Sequence, residues 1–246
     1  MPSTLPSNFP FRFRFSCRRW NSASGTPRSV DPETLDASFR VPIWSLSPWS
    51  DESLERRIVE PVESIGVDGE NAGIFDFRLG WSLDGLILTV VVSGKDEQPI
   101  WQRSALERAN SLRLCLDTRD MKDARRGTRF CYKFAFYPLV GESARSARPL
   151  AQWLPINRAR EIPTGVDVDA FVMASRRKDD GYSFTAFVPG TFLNGYDPGF
   201  FDRFGMHFTV SDSPRGVFTL QHAPPIPFED DPSLWSSFVM TGAKDL

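Results

Sequence analysis

The sequence predicts an all-β fold, an antiparallel two-sheet β-sandwich of about ten strands with few or no helices. Its 20 prolines and 17 glycines divide the 246 residues into short runs. Several of these runs alternate apolar with other residues at the period of a β-strand. No amphipathic helical pattern persists beyond about three turns. Strands without helices to cover a parallel sheet must pair antiparallel and bury their apolar faces between two sheets.

One domain accounts for the whole chain. Sandwiches commonly reach this length as a single unit, and hydrophobic residues make up 41% of the sequence, enough to form a core. Neither an internal repeat nor a linker divides the chain. We therefore expect a single domain over residues 1–246.

Phenylalanine and arginine alternate in the stretch FPFRFRFSCRRW, residues 9–20. Such a stretch is compatible with a targeting segment, an arm that binds nucleic acid, or the first strand of the fold. In a strand, the phenylalanines from Phe9 to Phe15 would share one face, and Arg12 and Arg14 would share the other. A transit peptide would instead form an amphipathic helix. We therefore expect residues 1–30 to contain a first strand, at a sheet edge, and a connection.

Nine further strands are predicted from runs of the same kind. They lie around Phe75–Trp81, Leu86–Val92, Leu112–Leu116, Phe130–Phe136, Val168–Val172, Tyr182–Val188, Phe204–Val210, Val217–Leu220 and Trp235–Met240. The run LILTVVV from Leu86 is apolar on both faces and predicts a central strand. Residues 141–155 are irregular and predict a surface loop. SDESLERRIVE predicts a short helix that begins near Ser50 or Asp51.

Charge and cysteine content exclude several classes of partner and site. The formal net charge is only −2, so we expect neither nucleic acid nor a membrane as a partner. No apolar run reaches the roughly 18 to 20 residues of a membrane span, and no secretory signal is apparent. The expected location is therefore the cytoplasm. The odd number of cysteines, Cys17, Cys115 and Cys131, lacks metal-ligand spacing and predicts reduced, mostly buried thiols.

Signals of catalysis are absent from the sequence. His207 and His222 are the only histidines, and neither has a serine or cysteine in a local pattern of nucleophile and base. His207 lies opposite the apolar face of a predicted strand, so we expect it to be a partly buried structural residue. There is no phosphate loop, dinucleotide fingerprint or HExxH motif. The protein is therefore expected not to be an enzyme.

A charged cluster follows the apolar strand that ends at Leu116. It comprises Asp117, Arg119, Asp120, Arg125, Arg126 and Arg129. An arginine fork beside carboxylates offers fixed hydrogen-bond donors and acceptors for hydroxyls or a carboxylate. The alternative is a solvated turn whose charges pair among themselves. We select Asp117, Arg119, Asp120 and Arg129 as candidate ligand-binding residues.

Tryptophans supply the second indication of a binding site. A sugar ring presents apolar C–H patches bordered by hydroxyls, so an exposed indole beside polar groups suits it. Trp101 and Trp153 are placed in loops by the predicted strands, whereas Trp81 and Trp235 flank strands and are expected in the core. Trp101 and Trp153 are therefore candidates for sugar stacking, with a structural role as the alternative.

Five segments together carry a family resemblance. They are RLGWSLDGLILTVVVSGK from Arg78, NSLRLCLDTRD from Asn110, DDGYSFTAFVPGTFLNGYDP from Asp179, RFGMHFTVSD from Arg203 and DPSLWSSFVM from Asp231. In this order, over residues 68–242, they resemble the family 9 carbohydrate-binding modules and their DOMON-like relatives. The resemblance implies a β-sandwich over that range, sugar binding by stacking between tryptophans, and structural calcium.

The chain departs from the family's pattern at two polar positions. Asn110 stands where the family usually has an acidic residue, and Thr185 stands where it usually has glutamate. Some DOMON relatives hold haem through methionine and histidine. Met206 and His207 are adjacent in one predicted strand and so point to opposite faces, which prevents both from ligating one iron. Met121 or Met173 with His207 is the remaining alternative for such a pair. No cofactor is expected apart from the calcium that the resemblance implies.

The residues and the resemblance together predict a non-catalytic protein that binds a sugar or polyol through loop aromatics and the Asp/Arg cluster. The alternative is a structural or protein-interaction sandwich that has lost sugar binding and adds a partner strand at its N-terminal edge. A glycan-processing enzyme, the third hypothesis, would need a carboxylate pair in one cleft. The expected partner is a carbohydrate, with a protein partner under the alternative.

Overall fold

The computed structural model describes residues 14–15, 19–20, 38–41, 64–67, 75–95, 101–213, 215–220 and 227–240. These residues contain fourteen strands. They are β1 (Arg14–Phe15), β2 (Arg19–Trp20), β3 (Ser38–Val41), β4 (Ser64–Val67), β5 (Phe75–Ser82), β6 (Gly85–Val92), β7 (Ser111–Asp117), β8 (Cys131–Val140), β9 (Arg148–Leu154), β10 (Val172–Lys178), β11 (Gly181–Pro189), β12 (Arg203–Asp212), β13 (Gly216–Thr219) and β14 (Ser236–Met240).

The strands form two sheets. One has the order β1-β4-β5-β6-β11-β10, and the other has the order β2-β13-β12-β7-β8-β9, with β14 joining β12 to β3. Among themselves, the ten strands from β5 to β14 form only antiparallel pairs. Two parallel pairs, β1 with β4 and β3 with β14, add short strands from the first 67 residues. The predicted all-β, two-sheet sandwich is confirmed.

Alternating residues of both sheets fill the core between them. Phe77 of β5 stacks on Phe208 of β12, with 4.0 Å between the ring centroids, so the two sheets are in direct aromatic contact. Trp81 and Trp235 are both fully buried, as predicted. β6 lies between β5 and β11, which confirms the central strand predicted from LILTVVV.

Helices in the described residues are limited to short 3-10 turns. These are Arg103–Arg108, Val168–Ala170, Gly190–Phe192, Phe228–Asp230 and Pro232–Leu234. None of the helices described is long and apolar enough to cross a membrane. The helix predicted near Ser50 lies outside the described residues.

Two predicted segments differ from the structure. The loop expected over residues 141–155 contains the edge strand β9, in which Pro149 is tolerated because an edge position needs fewer ladder hydrogen bonds. The strand expected around 168–172 begins only at Val172. Before it, the Asp167 side chain accepts a hydrogen bond from Asp169 N at 3.1 Å and closes a helical turn.

The N-terminal alternation is described only in part. Arg14 and Phe15 form β1, which pairs with β4 at the edge of the six-stranded sheet. The rest of the predicted strand, from Phe9, lies outside the described residues. The edge position of β1 agrees with the position expected from the sequence.

Residues 227–235 cover the outer face of the eight-stranded sheet. Beneath them, the His207 ring stacks on Phe228 with 5.1 Å between centroids, and the histidine is buried, as expected for a structural residue. Burial lowers the pKa of His207 to about 4. Cys115 and Cys131 are buried free thiols whose pKa values burial raises.

The two departures from the family pattern have structural roles here. Asn110 Oδ1 accepts a hydrogen bond from Ser213 N at 2.8 Å, which joins the start of β7 to the end of β12. Thr185 lies 2.9 Å from Thr89, hydroxyl to hydroxyl, across β11 and β6. Both side chains are buried, so neither is a surface group available to a ligand.

Candidate ligand-binding site

Two long loops meet at one end of the sandwich. Residues 118–130 connect β7 to β8, and residues 190–202 connect β11 to β12. Thr118 Oγ1 donates to Asn194 O at 2.6 Å, and Asn194 Nδ2 donates to Arg129 O at 3.2 Å. The two loops therefore form one surface, here named the two-loop surface.

Asp117, at the end of β7, shapes the first of these loops. Its Oδ1 accepts a hydrogen bond from Arg119 N at 2.9 Å, and its Oδ2 accepts one from Met121 N at 2.8 Å. Burial raises the pKa of Asp117, and these two backbone hydrogen bonds oppose the rise. The carboxylate is turned into the protein, so it folds the loop and does not face solvent.

Asp120 ties the same loop to β14. Its Oδ2 accepts a hydrogen bond from Ser237 Oγ at 2.6 Å, and its Oδ1 lies 2.8 Å from Lys122 Nζ. Lys122 Nζ also donates to Trp235 O. Asp120 Oδ2 is thus hydrogen-bonded, whereas the buried Oδ1 accepts no hydrogen bond from the described residues and is engaged by the Lys122 ion pair.

Arg119 is held flat between aromatic rings. Its guanidinium carbon lies 3.6 Å from the centroid of Phe201 and 5.0 Å from that of Phe130. Gly195 makes room for it, because a Cβ at this position would lie 2.6 Å from Arg119 Nε. Among the described residues, Arg119 forms no ion pair with a carboxylate. Its N–H edge can therefore donate to a ligand.

Arg129 lies at the outer margin of the two-loop surface. Its guanidinium carbon is 5.1 Å from the centroid of Phe130, and its Nε is 3.7 Å from Glu161 Oε2. Both members of this ion pair are mostly exposed, so the pair contributes little to stability. Arg129 is consequently available to a ligand.

Phe200 is the most exposed large hydrophobic residue in the described part of the chain, at 78%. Its ring lies beside that of Phe201, with centroids 4.8 Å apart. Sequence analysis missed this pair. Two adjacent aromatics in GYDPGFFD, outside any predicted strand, were the available signal, because no strand can bury two neighbours on one face.

Trp153 lies at the same end of the sandwich as the two-loop surface. It belongs to β9 and not to the predicted loop, and it pairs with Phe134 of β8. Phe134 is three residues from Cys131, where loop 118–130 ends, a separation of about 10 Å along the strand. Trp153 is 36% exposed.

Trp101 lies at the opposite end of β8. It pairs with Val140, nine residues or roughly 30 Å along the strand from Cys131. The indole is half-buried and packs with Leu106 and Tyr137 on the outer face of the sheet. One compact sugar site therefore cannot contain both Trp101 and the Asp/Arg cluster.

The acidic residues of the loop do not fit the calcium that the family resemblance implies. Calcium takes six to eight oxygen ligands, whereas both Asp117 oxygens and Asp120 Oδ2 accept hydrogen bonds from the protein and Asp120 Oδ1 is paired with Lys122. No group of three or more His, Cys, Asp or Glu within the described ranges could hold a metal ion. Met206 and His207 do not fit as ligands of one haem iron, because Met206 packs in the core and His207 on the outer face.

Comparisons by sequence found no relative of this chain. No family model matches it, and no curated protein matches it. Any likeness to known proteins therefore lies in the fold.

Solved structures with a similar fold include two family 9 carbohydrate-binding modules. A family 9 module from Caldicellulosiruptor kristjanssonii in complex with cellotriose is 14% identical and superposes with a TM-score of 0.53, covering 84% of this chain and 94% of that one. The glucose complex of a family 9 module from the same organism gives 15% identity and a TM-score of 0.52, with 84% and 96% covered. A suggested carbohydrate-binding protein from Bacteroides uniformis ATCC 8492 is 13% identical to this chain and superposes with a TM-score of 0.51. The match covers 82% of this chain and 98% of that one.

These structures show that the chain has the fold of the family 9 carbohydrate-binding modules. The fold part of the sequence resemblance is confirmed. The likeness to DOMON-like proteins stays a prediction.

Proposed function

We propose that this protein binds a carbohydrate at the two-loop surface without catalysing a reaction. The exposed Phe200 ring, next to the Phe201 ring on which Arg119 stacks, is the observation that carries the proposal. A solvent-facing ring offers a stacking plane for the C–H face of a sugar, and a fixed guanidinium offers donors to its hydroxyls. Cellotriose and glucose complexes among proteins of this fold support the choice of ligand class.

Trp153 extends the proposed site. It lies at the same end of the sandwich, and an indole is a larger stacking plane than a phenyl ring. Phe200, Arg119, Arg129 and Trp153 form the proposed binding set. Asp117 and Asp120 act by holding the loop that carries Arg119.

A non-catalytic role agrees with the hydrogen bonding of Asp117 and Asp120. Glycoside hydrolysis uses two carboxyl groups on either side of the scissile bond. Asp117 and Asp120 are the carboxylates nearest Arg119 in sequence, and each is hydrogen-bonded within the protein. Their side chains therefore hold the loop and do not form a pair directed at a bound sugar.

The protein-interaction alternative was expected at the N-terminal edge of the sheet, and the opposite edge, formed by β10, does not favour it. Strand addition needs an open edge, and charged side chains on an edge strand oppose it. β10 forms one edge of the six-stranded sheet and ends in Arg176, Arg177 and Lys178, all exposed. A protein partner is the hypothesis to pursue if no sugar binds.

A glycan array followed by calorimetry tests the proposal with three variants. We expect Phe200→Ala and Trp153→Ala to weaken binding at least tenfold, the size of one lost stacking contact. Trp101→Ala is the matched control, because it removes an indole roughly 30 Å away. Circular dichroism would first establish that each variant is folded.

Absence of binding to neutral, acidic and amino sugars, with and without calcium, would contradict the proposal. Binding that Trp101→Ala abolishes and Phe200→Ala leaves unchanged would also contradict it, because the site would then lie at the other end of β8.

A further inference from the structure

Exposed arginines surround the two-loop surface. Arg125, Arg126 and Arg129 come from the loop between β7 and β8, and Arg158 and Arg160 come from the segment after β9. All five side chains are exposed. They lie on two stretches of chain that are about 30 residues apart in sequence.

Gly127 brings the two stretches together. Its carbonyl accepts a hydrogen bond from Arg160 N at 2.7 Å. A Cβ on Gly127 would lie 3.1 Å from Ile156 Cγ2 and 3.2 Å from Ala159 Cβ, so the backbones are in close contact. The side chains of Arg126 and Arg160 therefore emerge from positions directly beside this contact.

Basic side chains outnumber acidic ones around these arginines. Asp117 and Asp120 face into the protein, and Asp120 is paired with Lys122. Asp123, Glu161 and Asp197 are exposed. Residues 117–130, 156–161 and 190–203 together carry eight arginine and lysine side chains against six aspartate and glutamate side chains, which leaves a net charge of +2. The whole chain, in contrast, has a formal net charge of −2.

We infer that the carbohydrate bound at the two-loop surface is anionic and carries carboxylate or sulfate groups. This inference rests on the proposed function and specifies the ligand class. A guanidinium binds a carboxylate or a sulfate with two parallel N–H donors, which a neutral hydroxyl cannot match in strength. A local positive field also draws an anionic chain toward the aromatic site.

An acidic glycan fits this surface better than a nucleic acid. Proteins that bind single strands line a basic groove with several aromatic platforms, one for each successive base. The two-loop surface presents the strongly exposed ring of Phe200, and Phe130 and Phe201 are partly buried against Arg119.

Four ligands test the inference on the full chain. Polygalacturonate carries carboxylates, and chondroitin sulfate carries sulfates as well. Cellotriose is neutral, and a single-stranded oligonucleotide is a polyanion that is not a glycan. Affinities would be measured by calorimetry at low and high sodium chloride. We expect tighter binding of an acidic glycan than of cellotriose, and weaker binding of it at high salt.

Two double variants with the same change of charge identify the surface. Arg126→Ala/Arg160→Ala should weaken binding of the acidic glycan about 25-fold, about fivefold for each exposed charge contact. Arg103→Ala/Arg108→Ala removes two exposed arginines on the turn next to Trp101 and should change the affinity less than twofold. Cellotriose binding should be unaffected by either double variant.

Equal affinity for cellotriose and the acidic glycans would overturn the inference and leave the proposed function standing. The same would follow if both double variants weakened binding equally. Tighter binding of the oligonucleotide than of either glycan would also overturn it and assign the surface to nucleic acid. If no glycan bound, the proposed function itself would fail.

Discussion

The guanidinium of Arg119 lies on the ring of Phe201, with its central carbon 3.6 Å from the ring centroid. Such a stack is worth about 0.5 to 2 kcal/mol and fixes the plane of the guanidinium. Stacking occupies the face of the group and leaves its N–H edge free to donate. The surface is therefore organised around an arginine that is placed before any ligand arrives.

Gly195→Ala should disturb this stack. Gly195 has φ +76°, and an added Cβ would lie 2.6 Å from Arg119 Nε. We expect a loss of about 2 to 3 kcal/mol in unfolding free energy, from backbone strain and displacement of Arg119, together with weaker ligand binding. Urea unfolding and calorimetry measure the two effects.

Gly165→Ala is the control for this change. Gly165 has φ +75°, but an added Cβ would meet nothing within 4 Å. Gly165→Ala should lower the unfolding free energy by the backbone strain alone, about 1 to 2 kcal/mol, and leave ligand affinity unchanged. Equal effects of the two substitutions on stability and binding would refute a role for Gly195 in placing Arg119.

Asp117→Asn should loosen the loop that carries Arg119. The carboxylate accepts two backbone hydrogen bonds, and an amide has only one oxygen for them. We expect a loss of about 1 to 3 kcal/mol in unfolding free energy, since a buried N–H is left without an acceptor. Asp123→Asn, at an exposed position of the same loop, should stay within about 0.5 kcal/mol. Thermal unfolding of both variants checks the difference.

His207 should make stability depend on pH. Burial lowers its pKa in the folded protein to about 4, below the ordinary histidine value of 6.5. Between these values the unfolded chain binds the proton and the folded protein does not, so stability falls as pH falls from about 6.5 toward 4. Comparison of urea unfolding at pH 7 and pH 4 should show a loss of about 3 kcal/mol from this residue. A His207→Phe variant with the same pH dependence as the unaltered protein would contradict the assignment.

Asp212→Ala should be strongly destabilising. Asp212 Oδ1 lies 2.5 Å from Lys95 Nζ, and both side chains are almost fully buried. Its removal leaves a buried ammonium without its carboxylate, a change that costs about 3 to 5 kcal/mol. Asp202→Ala breaks the exposed pair with Arg203 and should cost less than about 1 kcal/mol. Similar unfolding midpoints for the two variants would show that the Lys95 pair is not buried in solution.

The strands were predictable where period-two alternation decides which face is buried. Phe204 to Val210 alternates cleanly, and β12 follows it. β9 was missed because it is an edge strand whose Arg148 and Pro149 resemble loop residues. Strand content is thus recoverable from local pattern, except at an edge, where burial is weak.

Only the part of the candidate site that lies within one loop was predictable from the sequence. Asp117 and Arg119 follow an apolar strand, so their place in a loop could be inferred from sequence. Phe201 reaches Arg119, and brings the adjacent Phe200 with it, only because loops about 80 residues apart in sequence meet at one end of the sandwich. Trp101 and Trp153 could not be told apart, because the end of β8 at which each lies depends on strand pairing.

The most direct test of carbohydrate binding at the two-loop surface is to follow indole N–H resonances by nuclear magnetic resonance during titration with a bound glycan. The seven tryptophans give separate signals, assignable with Trp153→Phe and Trp101→Phe variants. We predict that the Trp153 signal shifts saturably and that the Trp101 signal, roughly 30 Å along β8, does not move. A saturable shift of Trp101 with Trp153 unchanged would contradict the account.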